Sequence, residues 1–382
     1  MKGEAMTPNR ALYACLLVAI AYSNAVDAFP ERPRARELGI AVGKLEAGRR
    51  NAITDVPGVR VGNVTILEAD SVRTGVTAVL PHGGNIFQEK VRAAIAVGNG
   101  FGKLVGLTQV RELGQIETPI VLTNTLSVFT AAEALVKYTL GLPGNQNVRS
   151  VNPVAGECND GWLNDIRGFH VTTEHVLEAI GSATDGEVGE GGVGAGTGTR
   201  CLGYKGGIGS SSRLVDAGDV TYTVGVLVQT NYGGSLRVLG VPVGDVLSEN
   251  AAAGDKSEGS CMIVLATDAP LSSRSLERLA RRTFLGLART GSVMSHGSGD
   301  YAIAFSTAYT ISHNDEKGES GTALLRDDRL TPLFAAAVDA TEEAVYNSMF
   351  KAFSLTGCEG HAAEGVPIQR MMNVLRSRGA VR

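Results

Sequence analysis

A surplus of positive charge is the first thing this chain lacks. Its 35 lysines and arginines are outnumbered by 39 aspartates and glutamates, for a formal net charge of −4. Nothing in that balance points to nucleic acid or an anionic membrane as a partner. Cysteine is scarce too: Cys15, Cys158, Cys201, Cys261 and Cys358 stand at irregular spacings, with no CxxC. This excludes a small disulfide scaffold and a redox dithiol, and leaves any pairing open. The six histidines are scattered, and His170 and His175 are five apart, off one helical face. The spacing therefore gives a metal pair little support. Tryptophan occurs once, at Trp162. There is no GxxxxGK[ST] phosphate loop, no repeat of fixed period and no long linker. Beyond the N-terminus no run is long and apolar enough to cross a bilayer.

Glycine, in contrast, is abundant, at 49 of 382 residues, well above the usual share of about 7%. Many tight turns or close backbone approaches are implied. Hydrophobic residues make up 43% and charged ones 19%, enough for a sizeable core. The N-terminus reads as a secretory signal spanning residues 1–28. Lys2 and Arg10 supply positive charge, "ALYACLLVAIAY" (11–22) is of h-region length, and "AVDA" ends at Ala28, predicting cleavage before Phe29. Cys15 precedes most of the apolar run, which argues against lipidation. The mature chain is then expected to be soluble and periplasmic or secreted.

Strand and helix patterns alternate along the chain. "ITDVPGVRVGNVTI" reads as turn then strand; "GVTAVLP", "RAAIAVGNG", "PIVLTNT", "DVTYTVGVLVQTN", "SCMIVLATDAP" and "DYAIAFSTAYTI" read as strands. Helices are predicted for "GKLVGLTQVRELG", "SVFTAAEALVKYTLG", "RGFHVTTEHVLEAIGSA", "SRSLERLARRTFLGLAR" and "TPLFAAAVDATEEAVYNSMFKAF". In the last, Thr331 is the expected N-cap and Pro332 the first helical residue. Several strands look apolar on both faces, as in sheets buried between layers. The pattern is that of a layered α/β or α+β protein.

Four stretches carry possible chemistry. "GEVGEGGVGAGTGTR" (186–200) contains GxGxxG at Gly189, Gly191 and Gly194. It follows a turn instead of a strand, so structural loops are favoured over a dinucleotide site. "GECNDGWLND" (156–165) gathers Glu157, Asp160 and Asp165 around Trp162. A solvated turn explains it on composition alone, while the functional reading is a carboxylate, Glu157, receiving a substrate ammonium beside an aromatic wall. "SHGSGD" (295–300) sets Ser298 and Asp300 two apart before a strand, so that both face the same way. Finally, Gly259-Ser260 stands where the polar run "SENAAAGDKSEG" (248–259) meets a strand. A hydroxyl at the first residue of a strand, preceded by a small residue, can attack the preceding carbonyl. An N-to-O acyl shift and hydrolysis would free an α-amine able to serve as its own base. Taken alone, a Gly-Ser before a strand is more often just the end of a turn.

The ordered set "ITDVPGVRVGNVT", "PIVLTNTLSV", "GECNDGWLND", "GGVGAGTGTRCLGYKGGIGSSSR", "GSCMIVLATDAPL", "LERLARRTFLGLARTGS", "GSGDYAIAFSTA" and "ATEEAVYNSMFKA" resembles the self-processing aminopeptidases. That family includes the L-aminopeptidase/D-amino-acid esterase-amidases and the β-aminopeptidases, which are N-terminal-nucleophile-like serine hydrolases. The resemblance runs over about residues 40–375. It implies a four-layer αββα sandwich with its own strand connectivity. It further implies cleavage between Gly259 and Ser260 into an α chain (29–259) and a β chain (260–382) that remain one catalytic domain. Oligomers of such αβ pairs, commonly tetramers, and no metal or organic cofactor are also implied. Residue by residue, Ser260 matches the nucleophile, Ser298 and Asp300 the groups that orient it, and Asn231 an oxyanion-hole amide. Glu157 matches the carboxylate near the substrate amine, and Trp162 an aromatic that is tyrosine in some relatives. "NGFGK" departs from the pattern, since relatives often have Glu where Lys103 stands. The expected activity is hydrolysis of an N-terminal residue from a short peptide, amide or ester. Two rivals remain: acyl transfer on a related scaffold, as in ornithine acetyltransferases, which would place threonine at the nucleophile, and a non-enzymatic exported binding protein.

Overall fold

The computed structural model describes Met1 and residues 31–218, 220–247, 259–314 and 323–382. The expected signal peptide and most of the polar run before Gly259 lie outside these. Within the unit Arg32–Arg382, the chain opens with β1 (Arg60–Glu68), β2 (Val72–Leu80), β3 (Glu89–Gly100), β4 (Leu104–Val105) and α1 (Leu107–Leu113). There follow β5 (Gln115–Ile116), β6 (Ile120–Asn124), α2 (Val128–Gly141), β7 (Val154–Cys158) and α3 (Thr173–Gly181). A short hairpin, β8 (Arg200–Cys201) and β9 (Tyr204–Lys205), leads to β10 (Ile208–Asp216), β11 (Thr221–Asn231) and α4 (Val243–Leu247). Next come β12 (Ser260–Thr267), α5 (Ser273–Arg289), β13 (Gly299–Ser312) and α6 (Thr331–Phe350). A hairpin of β14 (Leu355–Thr356) and β15 (Ala362–Ala363) precedes α7 (Ile368–Ser377).

Two sheets face each other. One has strand order β1-β2-β6-β7-β4 and the other β10-β11-β12-β13-β3-β5. Each has a single parallel pair, β6 with β7 and β12 with β13, within an otherwise antiparallel ladder. Side chains from both inner faces, among them Leu122, Val154, Met262, Val264, Ile303 and Phe305, make a dry core between the sheets. Outside the first sheet, α2 and α3 cover Val76, Val121 and Ala155. Outside the second, α5 and α6 cover Ile263, Leu265, Ala302 and Ala304. The result is the four-layer αββα sandwich that was expected. Strand β12 shows why its sequence lacks polar alternation: all eight of its residues are buried, odd ones toward the helices and even ones toward the other sheet.

Three local readings change. Leu104 and Val105 belong to an edge strand, and α1 starts only after Gly106, whose φ of +89° breaks the helical path. Thr331 is the first residue of α6, and no side chain caps that end; Leu330 holds the N-cap position. Helix α6 is also buried nearly all round, Glu342, Glu343 and Asn347 included. The serine-rich β10 has no apolar alternation that would mark it as a strand. It buries its hydroxyls by bonding Ser210 Oγ to the Val226 carbonyl at 2.8 Å and Ser211 Oγ to the Ala340 carbonyl at 2.6 Å.

The glycine run does not open a helix on a phosphate. It threads between the sheets, where Gln229 Nε2 holds the Ala195 carbonyl at 2.8 Å and the Thr123 carbonyl at 3.1 Å. A Cβ on Gly194 would lie 2.4 Å from both Asn63 Oδ1 and Thr77 Oγ1. At Gly191, Gly194, Gly196 and Gly198 the absence of a side chain is thus a packing requirement.

Candidate active site

Strand pairing assembles what the sequence scatters. Ser260, the first residue of β12, is paired with Asn231 at the end of β11 on one side and Gly299 at the start of β13 on the other. Asp300 is registered with Cys261, and Asn99 of β3 with Asp300. Three of the four candidates from separate motifs therefore come from neighbouring strand ends. Ser260, Ser298 and Asp300 are buried, at 5%, 1% and 0% exposure. Yet Ser260 Oγ, Ser298 Oγ and both carboxylate oxygens of Asp300 have no hydrogen-bond partner. Buried polar atoms are nearly always paired, so four orphans in one cluster single out these strand ends as a candidate site.

The peptide bond before Ser260 is gripped as well. Gly299 N–H donates to the Gly259 carbonyl at 3.1 Å, polarising the carbonyl that Ser260 would attack. A Cβ on Gly259 would lie 2.3 Å from the Asn231 carbonyl oxygen and from Tyr232 Cα; glycine is the residue that fits. Asn231 accepts from Arg200 N–H at 3.0 Å through Oδ1, which fixes the amide's orientation and turns its Nδ2 the other way, as a donor should be turned.

Burial pushes the Asp300 carboxyl up to about 6, against the pull of the nearby Ser298 hydroxyl and Cys261 N–H. Neither of these completes a hydrogen bond of normal geometry. Asp300 makes no hydrogen bond to the Ser260 hydroxyl. Residue alternation gives Ser260 the face of Met262, toward the other sheet, while Asp300 shares that of Ala302, toward the helices. The two converge at the strand end and not on one sheet face. On Ser260's own face lies Cys158, whose thiol donates to the Gln229 carbonyl at 3.6 Å. Burial raises that thiol well above its ordinary range, so it stays protonated.

Glu157, the penultimate residue of β7, lies beside this cluster. Its Oε1 accepts from Lys103 N–H at 3.0 Å and lies 3.5 Å from Lys103 Nζ, while Thr125 Oγ1 donates to Oε2. Thr125 and Gly299 were not singled out as functional from the sequence. The available signals were that Thr125 follows the strand that runs parallel to β7, and that Gly299 is the middle residue of Ser-Gly-Asp. Asp160, from the same motif as Glu157, faces elsewhere. Burial raises it to about 7 and lowers its neighbour Lys205 to about 7. Lys205 Nζ bonds the Gly196 and Gly206 carbonyls, a structural tie beneath the glycine run. Trp162 is 46% exposed. It stacks on His361 at 3.8 Å and lies under the Arg200 guanidinium at 4.6 Å. Its Nε1–H points at the Ala362 carbonyl, 3.5 Å away, so it is not aimed at an oxyanion. No group of His, Cys, Asp and Glu suited to a metal occurs among the described residues.

The model of Peptidase family S58 matches residues 51–363. The chain belongs to peptidase family S58. It is 40% identical over 91% of its length, and 92% of the relative's, to a β-peptidyl aminopeptidase of Sphingosinicella microcystinivorans. Among solved structures, a Burkholderia β-aminopeptidase is 40% identical with a TM-score of 0.85, covering 91% of this chain and 99% of that one. The L-aminopeptidase/D-Ala-esterase/amidase of Ochrobactrum anthropi is described as a prototype serine aminopeptidase and a variant of the Ntn-hydrolase fold. It is 37% identical with a TM-score of 0.87, covering 92% and 100%. These likenesses account for the architecture, and at the level they share this S58 chain is a peptide hydrolase of the aminopeptidase kind.

Proposed function

We propose that the chain is an exported aminopeptidase that activates itself by cutting between Gly259 and Ser260 and then works through an acyl-Ser260 ester. One observation carries the reading: a buried, unpartnered serine hydroxyl opens a central strand, behind a glycine whose carbonyl is already held by Gly299 N–H. In self-cleavage Ser260 Oγ adds to the Gly259 carbonyl carbon, and the developing oxyanion keeps the Gly299 bond. Nitrogen leaves as the Ser260 amine, and water opens the ester. The freed α-amine has an ordinary pKa near 8 and takes the hydroxyl proton when a substrate carbonyl arrives. It returns that proton to the leaving amine, and water releases the product acid. Ser298 and Asp300 flank the nitrogen that cleavage frees, through the neighbouring Cys261 N–H, and orient it. Asn231 Nδ2 donates to the substrate oxyanion. Glu157 anchors the substrate ammonium, so cleavage removes terminal residues only. Residues 1–28 act as the export signal, the α chain 29–259 stays joined to the β chain 260–382, and αβ pairs associate into oligomers.

The test is the intact mass of the purified protein under denaturing conditions, beside Ser260→Ala. Two chains in the wild type, the smaller beginning at Ser260, with a single chain in the variant, are expected. A wild type that stays whole while folded, and hydrolyses neither β-alanyl nor L-alanyl p-nitroanilide, would overturn the reading in favour of a binding protein.

A further inference from the structure

Lys103 has no task in the chemistry above, yet it touches the residue assigned to substrate binding. Its ammonium lies 3.5 Å from Glu157 Oε1, with a side chain 46% exposed against 4% for the glutamate. Its backbone N–H donates to the same oxygen. The pair lies beside the strand end that carries the nucleophile's neighbour Gly299. A side chain on Gly102 would sit 3.1 Å from Gly299 Cα and 3.3 Å from Glu157 Oε1, and Gly299 is the strand neighbour of Ser260. Three groups already define the carboxylate: Thr125 on one oxygen, and the Lys103 amide and ammonium on the other.

A carboxylate with an ammonium beside it is a dipole, not a negative hole. A ligand that brings only an ammonium gains Glu157 but meets the like charge of Lys103 at close range. A ligand that brings an ammonium and a carboxylate on one carbon pairs with both, and frees the flexible lysine to swing outward onto the added anion. We propose that Glu157 and Lys103 together read the zwitterionic headgroup of an amino acid whose side-chain carboxyl is amidated, and that β-aspartyl amides are the preferred substrate class. In such a substrate the ammonium and carboxylate share a carbon, and one methylene separates it from the carbonyl under attack. In connectivity it is a β-amino acyl group with a carboxylate added where Lys103 stands. The inference rests on the aminopeptidase reading. Ser260 Oγ forms an ester with the β-carbonyl carbon as the C–N bond breaks. The hydroxyl proton passes through the Ser260 amine to the departing amine, and water cleaves the ester to free aspartic acid.

The experiment compares kcat/KM for L-aspartic acid β-(p-nitroanilide) and β-alanine p-nitroanilide, which differ by that one carboxylate. It uses wild type, Lys103→Met, Lys103→Glu and Lys103→Arg. The wild type is expected to favour the β-aspartyl substrate by about tenfold or more, the effect of a charge-assisted contact. Lys103→Met removes the preference, Lys103→Glu reverses it, and Lys103→Arg retains most of it. Turnover of the β-alanyl substrate with a ratio that none of the variants moves, or a wild-type preference for β-alanine, overturns the proposal while leaving the aminopeptidase reading intact. Folded wild type that turns over neither substrate but still hydrolyses L-alanyl p-nitroanilide overturns the proposal alone; an uncut wild type inactive on all three overturns both. Because the lysine side chain is half exposed, a matching melting temperature for the variants is the check that the fold is unchanged.

Discussion

Two clusters of buried charge in this molecule are built on opposite rules. The first joins β10 to α6. Glu343 is fully buried, and its Oε1 accepts from Arg36 Nε at 2.9 Å and from Asn51 Nδ2, while its Oε2 accepts from Arg213 Nη2 at 2.6 Å. Arg213, also fully buried, further donates to the carbonyls of Ser212, Val42 and Asp339. The second cluster is Ser260, Ser298 and Asp300, equally buried, with four side-chain oxygens unpartnered. One sheet contributes to both, so burial does not distinguish them; the carboxylates do. Both oxygens of Glu343 accept hydrogen bonds and neither of Asp300's does, while Arg213 leaves its Nε alone without a partner. The paired network lies on either side of the Gly259-Ser260 bond, with Arg213 before it and Glu343 after, and holds those parts of the chain together. A buried carboxylate that holds two arginines has both oxygens occupied, and the buried carboxylate near Ser260 is left with both open.

Breaking the Arg213–Glu343 cluster has the largest expected effect. Glu343→Ala leaves Arg213 uncompensated in the interior and should cost about 3–5 kcal/mol, read from chemical denaturation, while sparing kcat in whatever folds. Asn231→Ala acts on the other cluster and reverses that signature. Stability should hardly move, but kcat should fall about 10²- to 10³-fold, as for loss of one oxyanion donor. Asp300→Asn sharpens the contrast through pH. With Asp300 raised to about 6 by burial, the folded state binds its proton more tightly than the unfolded chain. Its contribution to stability therefore falls as pH rises from about 4 to about 6 and stays low above that. Asparagine has no such charge. The variant should match wild type in melting temperature near pH 4 and exceed it at pH 8, by on the order of 2 kcal/mol, while turnover drops. A variant less stable at pH 8 would show Asp300 to be a structural charge like Glu343.

The sequence carried the architecture where pattern and burial agree. Strands such as β12 and β13, apolar on both faces, cannot be mistaken for half-solvated ones, and helix α5 keeps one clean apolar stripe from Leu276 to Leu287. It misled where tertiary contacts decide. In β10 the buried residues are serines, whose hydroxyls find partners on β11 and α6 that no local rule reveals. In α6 the charged residues that look solvent-facing are paired inside, as Glu343 is with Arg213. At the site, residue identities were legible because the motifs are distinctive, but their relation was not. Ser260 meets Asn231 and Gly299 only through strand register, and Glu157 meets Thr125 only because β6 and β7 run parallel. Spacing within "SHGSGD" places Ser298 and Asp300 on one side of the chain; the relation of Asp300 to Ser260, on alternate faces of paired strands, comes only from the register of β12 with β13.

The smallest expected effect separates two roles for Trp162. The residue stands at the edge of the comparison, since it supports the reactive cluster without belonging to it. Its ring lies between His361 and the Arg200 guanidinium, and Arg200 N–H fixes Asn231. Its own N–H reaches only the Ala362 carbonyl, at 3.5 Å, the outer limit of a useful bond. Trp162→Phe keeps an aromatic platform and discards that N–H, so kcat and KM should each stay within about twofold of wild type, a change of less than about 0.5 kcal/mol. Trp162→Ala removes the platform itself, loosens Arg200, and should lower kcat more than it raises KM by letting the Asn231 amide turn. If Trp162→Phe instead cut kcat by the factor expected for Asn231→Ala, the indole would be a second oxyanion donor. The ring would then have to swing away from Ala362 when substrate binds.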